Sequence, residues 1–242
     1  MWARNKHSAS VFFIALLLTG SSSGFSQTMG VLNLPKYEFE KLHFGFTLGI
    51  NTANFVIAPK QLKDSILIVR SSPQSGFNLG IVSEYAIQRY LTIRFLPDIS
   101  FAERELDYTV DTKNYGVGVL TKTIQSTFLD FPIDLKLRSA RMKNFAAYVV
   151  AGGKYTLDLA SQGDVNNADL SAAQQVVKLT RNDIGYEMGA GTEFYLPYFK
   201  FGIEAKLSLG FKNLLISDNT IFANAIDHLY SKMFLLSFTF EG

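Results

Sequence analysis

Alternate positions of the stretch HFGFTLGIN, His43 to Asn51, divide by character. Phe44, Phe46, Leu48 and Ile50 fall on one parity, and Gly45, Thr47, Gly49 and Asn51 on the other. A strand turns successive side chains to opposite faces, so this segment has one bulky apolar face and one small polar face. Period alone leaves open whether the apolar face meets a protein core or lipid, because a half-buried strand of a soluble sheet alternates in the same way.

The pattern recurs along the chain. GFNLGIVSEYA sets Phe77, Leu79, Ile81 and Tyr85 against Asn78, Gly80, Val82 and Glu84. LTIRFLPDISFAER sets Leu91, Ile93, Phe95, Pro97, Ile99 and Phe101 against a face that carries Arg94, Asp98 and Arg104. In TFLDFPIDLKLRS, Leu129, Phe131, Ile133, Leu135 and Leu137 oppose Asp130, Asp134, Lys136 and Arg138. FAAYVVAGGKYTLDLAS opposes Phe145, Val149, Tyr155, Leu157 and Leu159 to Tyr148, Gly152, Lys154 and Asp158. DIGYEMGAGTEFYLP places Glu187, Gly189, Gly191, Glu193 and Tyr195 opposite Tyr186, Met188, Ala190, Thr192 and Phe194. FKFGIEAKLSLGFK alternates Phe199, Phe201, Ile203, Leu207, Leu209 and Phe211 with Lys200, Gly202, Glu204, Lys206, Ser208, Gly210 and Lys212. SKMFLLSFTFEG runs Phe234, Leu236, Phe238 and Phe240 to the C-terminus. These segments predict eight strands, most near the ~9–11 residues that cross an outer membrane at a tilt.

The connections alternate in length. IQRY, ARMKN and PY are short turns, whereas Thr52 to Ser75, Leu106 to Ser126, Gln162 to Asn182 and Asn213 to Tyr230 read as long loops. Alternating long and short connections around an even number of strands fits an outer-membrane barrel with both termini in the periplasm. A soluble barrel would turn the apolar face inward and leave the glycine-rich, ionic face in water. A narrow barrel explains that face better, because about eight strands enclose just enough room for side chains. The expected fold is therefore an all-β, antiparallel, eight-stranded transmembrane barrel with a small plugged lumen, spanning residues 41–242.

Composition sharpens this picture at the N-terminus. Arg4 and Lys6 precede the apolar run Val11 to Leu18, which is followed by small polar residues. This is a secretory signal peptide over residues 1–26, with cleavage after Ser26 and a short N-terminal periplasmic segment at 27–40. The run is far shorter than the ~20 residues of a membrane-spanning helix. Removing Arg4 and Lys6 lowers the 23 basic residues to 21, equal to the 21 acidic ones, and nothing in that balance points to nucleic acid. The chain has no Cys, which excludes disulfides and zinc-thiolate sites.

The inward face is then expected to carry Glu84, Arg94, Asp98, Arg104, Asp130, Asp134, Lys136, Arg138, Lys154, Asp158, Glu187, Glu193, Lys200, Glu204, Lys206 and Lys212. Isolated buried charges cost several kcal/mol each, so these predict a ladder of ion pairs that fills the lumen, with an ion path as the functional alternative. Catalytic candidates are few. Of the three histidines, His7 lies in the signal peptide, His43 at a strand start, and only His228 sits beside a carboxylate, Asp227, in a long loop. No metal cluster, phosphate loop or cofactor motif is present, and no enzymatic role is expected. The long loops carry apolar residues: Ile66, Leu67, Ile68 and Val69 in one, Ile221, Phe222, Ile226 and Leu229 near helical spacing in another. Such residues form a partner-contact surface or pack over the barrel mouth.

HFGFTLGIN, RFLPDISFAERELDY from Arg94, FPIDLKLRSARMKNFAAYVVAGGKYTLDLAS from Phe131 and NDIGYEMGAGTEFYLPYFKFGIEAKLSLG from Asn182 together resemble the PorT/SprT proteins of the Bacteroidota. The likeness covers most of the mature chain, and the block from Phe131 to Ser161 is its most specific part. The resemblance implies a small barrel in outer-membrane lipid that is required for type IX protein secretion and, in gliding relatives, for surface motility. It implies other type IX components as partners and no catalytic residues, and it leaves the oligomeric state open. A general small barrel or narrow pore unrelated to that pathway is the alternative.

Overall fold

The computed structural model describes residues 31–60, 66–112, 116–163, 165–167, 171, 174–218 and 220–242, with the side chains of 66, 67, 111, 112, 116 and 117 outside that description. The signal-peptide expectation at 1–26 falls outside it as well.

Nine antiparallel strands close in a ring: β1 (Leu42–Pro59), β2 (Ile66–Ala86), β3 (Leu91–Phe95), β4 (Asp98–Thr112), β5 (Gly116–Arg138), β6 (Phe145–Asp158), β7 (Asn182–Tyr195), β8 (Lys200–Gly210) and β9 (Ile226–Glu241). Closure comes from β1, which pairs with β2 on one side and with β9 on the other. β3 and β4 each lie between β2 and β5, so they form one stave and the ring has eight. The break between them falls at Leu96 and Pro97. Proline has no N–H for the ladder, yet its carbonyl still accepts from Ile81 N at 3.0 Å, and Leu96 N donates to Pro132 O at 3.3 Å. Side-chain parity survives the interruption: Arg94 and Asp98 are both buried, while Phe95 and Ile99 are both exposed.

The apolar face points outward on every stave. Phe44, Phe46, Leu48 and Ile50 of β1, Phe77, Leu79 and Ile81 of β2, Ile133, Leu135 and Leu137 of β5 and Phe234 and Phe238 of β9 are all exposed. From Leu42 to Ile50 the belt covers eight rises of ~3.3 Å, roughly 20 Å of height at a ~40° tilt, close to the lipid-facing band of an outer-membrane barrel. Tyr85, Tyr90 and Tyr198 mark its short-turn rim.

Five strands, β1, β2, β4, β5 and β9, continue past this belt, which corrects two of the expected long loops. Thr52 to Ser75 is mostly the ends of β1 and β2, which past Ala53 and Gln74 pair with β9 and β4, and Leu106 to Ser126 is mostly the paired ends of β4 and β5. Ile66 to Val69 are accordingly strand residues. Beyond the belt, outward positions turn polar, with Glu103, Glu105 and Asp107 on β4 beside Gln125, Thr123 and Thr121 on β5. The opposite wall, β6 to β8, stops near the belt. Its connections fold inward across the mouth, where Leu179 bridges to Leu215 and the single helical turn α1 (Ile221–Asn224) is capped by Thr220 Oγ1 accepting from Ala223 N.

Glycine makes room inside the ring at one decisive place. An added Cβ on Gly191 would lie 2.5 Å from both Cζ and the hydroxyl oxygen of Tyr148, whose ring crosses the lumen from β6. Gly191→Leu is expected to destabilise the barrel by about 1–3 kcal/mol through overpacking. Gly118→Ala, where a Cβ meets nothing within 4 Å, is expected to stay within about 0.5 kcal/mol. Denaturant unfolding in detergent followed by far-UV circular dichroism reads both.

Candidate functional site

The alternation that turns apolar residues to the outside sends charge into a dry interior, and the ion pairs form three tiers. Nearest the short turns, Lys200 Nζ reaches Glu241 at 2.7 Å, Glu193 at 3.0 Å and Glu84 at 3.2 Å. Lys136 pairs with Glu84 at 2.7 Å and with Glu193. The carboxylates of Glu84, Glu193 and Glu241 bring oxygens within 4.8 Å of one another, a spacing that suits a metal ion. Two ammonium groups, those of Lys136 and Lys200, already sit among these carboxylates and offset much of their charge.

In the middle tier one Arg94 nitrogen donates to both Glu204 oxygens at 2.8 Å and to Asp134 at 3.3 Å. Lys206 donates to Glu187 at 2.5 Å and also faces Asp134 and Glu204 at 3.7 Å. Higher up, Lys154 pairs with Asp130 at 3.4 Å, Thr156 donates to Asp130, and Ser100 donates to Asp98 at 2.9 Å. Arg104 ends the ladder. It donates to Ser126 at 2.6 Å and faces Asp158 at 3.9 Å, with its guanidinium 4.3 Å from the Phe55 ring centroid and 4.9 Å from that of Phe128.

All the expected lumen residues except one take part or line this interior. Lys212 is the correction: β8 ends at Gly210, and Lys212 is exposed in the connection that follows. Arg138 sits at the lower rim, bonded to Tyr195 and 3.4 Å from Glu38. Glu241 and Asp183 are further buried acids on the inward parity of β9 and β7, which the same alternation would have found.

Side chains narrow both ends of the lumen, and at the short-turn end a cavity of about 490 Å³ still reaches Glu84, Lys136 and Lys200. Below, Tyr37 from the segment before β1 inserts among the strands, stacks on His43 at 3.7 Å and donates to Glu241 at 3.0 Å. Burial raises the Tyr37 phenol well above its ordinary pKa, with Glu241 adding to the effect, so the hydroxyl remains a donor. Asn33 ties this segment down by donating to Tyr195 O at 2.9 Å. Above, Phe55, Leu106, Tyr108, Val177, Leu179, Leu214, Phe222, Ala225, Ile226 and Leu229 form a hydrophobic core under the loops. This corrects the partner-surface expectation for Phe222, Ile226 and Leu229, which are at most 3 % exposed. Val69 packs against the same core, whereas Ile68 and Ile221 face outward. The side chains of Ile66 and Leu67 lie outside the described residues.

A closed ring with a lipid-facing belt, an ionic lumen and loops gathered at one end is an outer-membrane architecture. The sequence matches the family described as outer membrane protein beta-barrel domain over residues 25–215. The chain belongs to that family. The barrel resides in the outer membrane with its apolar belt in lipid. Solved barrels with similar topology include OprG of Pseudomonas aeruginosa (13% identity, 83% of this chain and 92% of that one, TM-score 0.42). Neisserial surface protein A follows at 12% identity, 80% and 95% coverage and TM-score 0.41. Ail of Yersinia pestis, in complex with a heparin analogue, has 14% identity, 84% and 100% coverage and TM-score 0.37. No match emerges among curated proteins.

On this barrel Asp227 and His228 form a half-exposed pair, with Oδ2 2.8 Å from Nδ1, and His228 stacks beside Tyr230. Among the described residues no hydroxyl bonds to this imidazole.

Lys200→Met leaves three buried carboxylates short of a cation and is expected to cost about 3–5 kcal/mol. Lys212→Met at the exposed connection is expected to cost under about 0.5 kcal/mol. Chemical denaturation of the detergent-solubilised barrel compares the two.

Proposed function

We propose that this outer-membrane barrel is a non-enzymatic component of type IX protein secretion that acts through its rims and outer extension rather than through its lumen. The single observation behind the mode of action is the filled interior. Arg94, Arg104, Asp134 and Lys200 are each at most 2 % exposed, and apolar or aromatic packing narrows both ends. A barrel whose interior is filled by side chains offers export a scaffold rather than a channel. The pathway itself is supported by the resemblance of the block from Phe131 to Ser161 to PorT/SprT proteins. In this reading residues 27–40, the short turns and the C-terminus face the periplasm, the long loops face outward, and the partners are other type IX components.

A strain lacking the gene is expected to retain cargo bearing type IX sorting domains, with release restored by complementation and other envelope proteins unchanged, as read by mass spectrometry of released proteins. Normal release would remove the pathway and leave a general small barrel. Purified barrel in a planar bilayer is expected to show no stepwise conductance; discrete channel openings would reject the scaffold reading.

A further inference from the structure

The charge ladder ends unevenly. Lys136, Lys200, Arg94 and Lys206 each have a carboxylate oxygen at 2.8 Å or less. Arg104 is buried as deeply, at 1 % exposed, yet its ion-pair partner Asp158 stands 3.9 Å away. Its Nη2 donates to Ser126 Oγ at 2.6 Å, while Nε and Nη1 have no hydrogen-bond partner among the described residues. The Phe55 and Phe128 rings pack against the guanidinium and bring no oxygen to it.

Two carboxylates act on this group, and both are engaged elsewhere. Asp158 accepts from Ser126 Oγ at 2.8 Å and from Ala160 N at 3.0 Å, and Asp183 accepts from Ile184 N at 2.8 Å. A buried cation whose donors lack acceptors is costly, because protein contacts have not replaced its lost hydration. Nε and Nη1 therefore call for an acceptor that the described residues do not supply.

Space for one lies beside them. A cavity of about 20 Å³ is lined by Arg104, and around it stand Lys154, Arg181, Ser208, Asp158 and Asp183. That volume exceeds the ~10–15 Å³ that one water needs, and it leaves no room for a polyatomic oxyanion. Leu179 and Leu214 of the mouth core also line it, so charge-assisted bonds act here in a partly apolar setting. Lys154 shares its charge with Asp130 at 3.4 Å, and Arg181 is exposed. The three cations outnumber the two carboxylates in the lining, so an entering negative charge meets a cationic surface.

We propose that this cavity binds one monatomic anion of the halide class, with Nε and Nη1 of Arg104 as its donors. A water molecule accepts the same two bonds without supplying charge, and it is the occupant that the test separates from a halide. The site rests on the barrel fold alone and stands whether or not the barrel serves type IX secretion.

The test uses the full mature barrel in non-ionic detergent. Crystals grown without halide and soaked in sodium bromide are expected to show an anomalous peak in hydrogen-bond contact with Arg104 Nε and Nη1. In solution the barrel is expected to broaden the 35Cl NMR line of added sodium chloride. Bromide is expected to reverse that broadening, and methanesulfonate, too large for the cavity, to leave it unchanged. Arg104→Gln removes the charge and is expected to weaken chloride binding at least about tenfold, whereas Lys212→Gln at the exposed connection leaves it unaltered. Should Arg104→Gln fail to fold, the bromide peak in the unaltered chain decides alone. The proposal is overturned by a water without anomalous signal at Arg104 in bromide-soaked crystals, by bromide confined to exposed lysines and arginines, by methanesulfonate competing as well as bromide, or by broadening that survives Arg104→Gln.

Discussion

Eight staves enclose a lumen too narrow for bulk water, and this single constraint organises the interior. Each charge sent inward loses its hydration and recovers it from protein partners, so one cation serves several acids: Lys200 contacts Glu84, Glu193 and Glu241, and Lys206 contacts Asp134, Glu187 and Glu204. Large side chains fit only beside small ones, as Tyr148 does beside Gly191. Lipid on the outside fixes the opposite face, because an unpaired polar group there has no solvent to bond.

The same strands pass through two media, and their chemistry inverts at the boundary. Within the belt, β1 is apolar outward at Phe46 and Ile50 and polar inward at Thr47 and Asn51; beyond it Ala53 and Phe55 are the buried residues. β4 repeats the change, from Phe101 outward and Arg104 inward to Glu105 outward and Leu106 inward. Arg104 stands at the turnover, its charge shared with Ser126 and Asp158 below and its face laid against Phe55 and Phe128. Above that level the molecule is an ordinary half-buried sheet with its core inside.

This inversion explains what was legible in the sequence. Strand parity within the belt, the short turns at 87–90 and 140–144 and the buried ionic face could all be read, because lipid on one side and a narrow lumen on the other favour period two, with inward Val82 and Val150 among the few departures. Strand length was hidden, since the apolar residues change parity at the boundary and a continuous strand then looks like the end of one. A β-bulge between Pro73 and Phe77 obscured β2 further by adding a residue. The apolar loop residues Phe222, Ile226 and Leu229 were visible, but spacing alone does not separate a mouth cover from a partner surface. Tyr37 left no periodic signal: it lies outside any strand and is placed by tertiary contacts to His43, Tyr195 and Glu241.

A filled interior also changes where sequence freedom can reside. Substitutions in the lower and middle tiers act through shared partners, so removing Glu84 affects Lys136 and Lys200 together. The belt tolerates any apolar residue of suitable size. The extension beyond lipid carries outward side chains such as Thr123 and Gln125 that face neither lipid nor the lumen. There the staves held in lipid give the extension a fixed frame, and substitution is limited by the half-buried sheet alone.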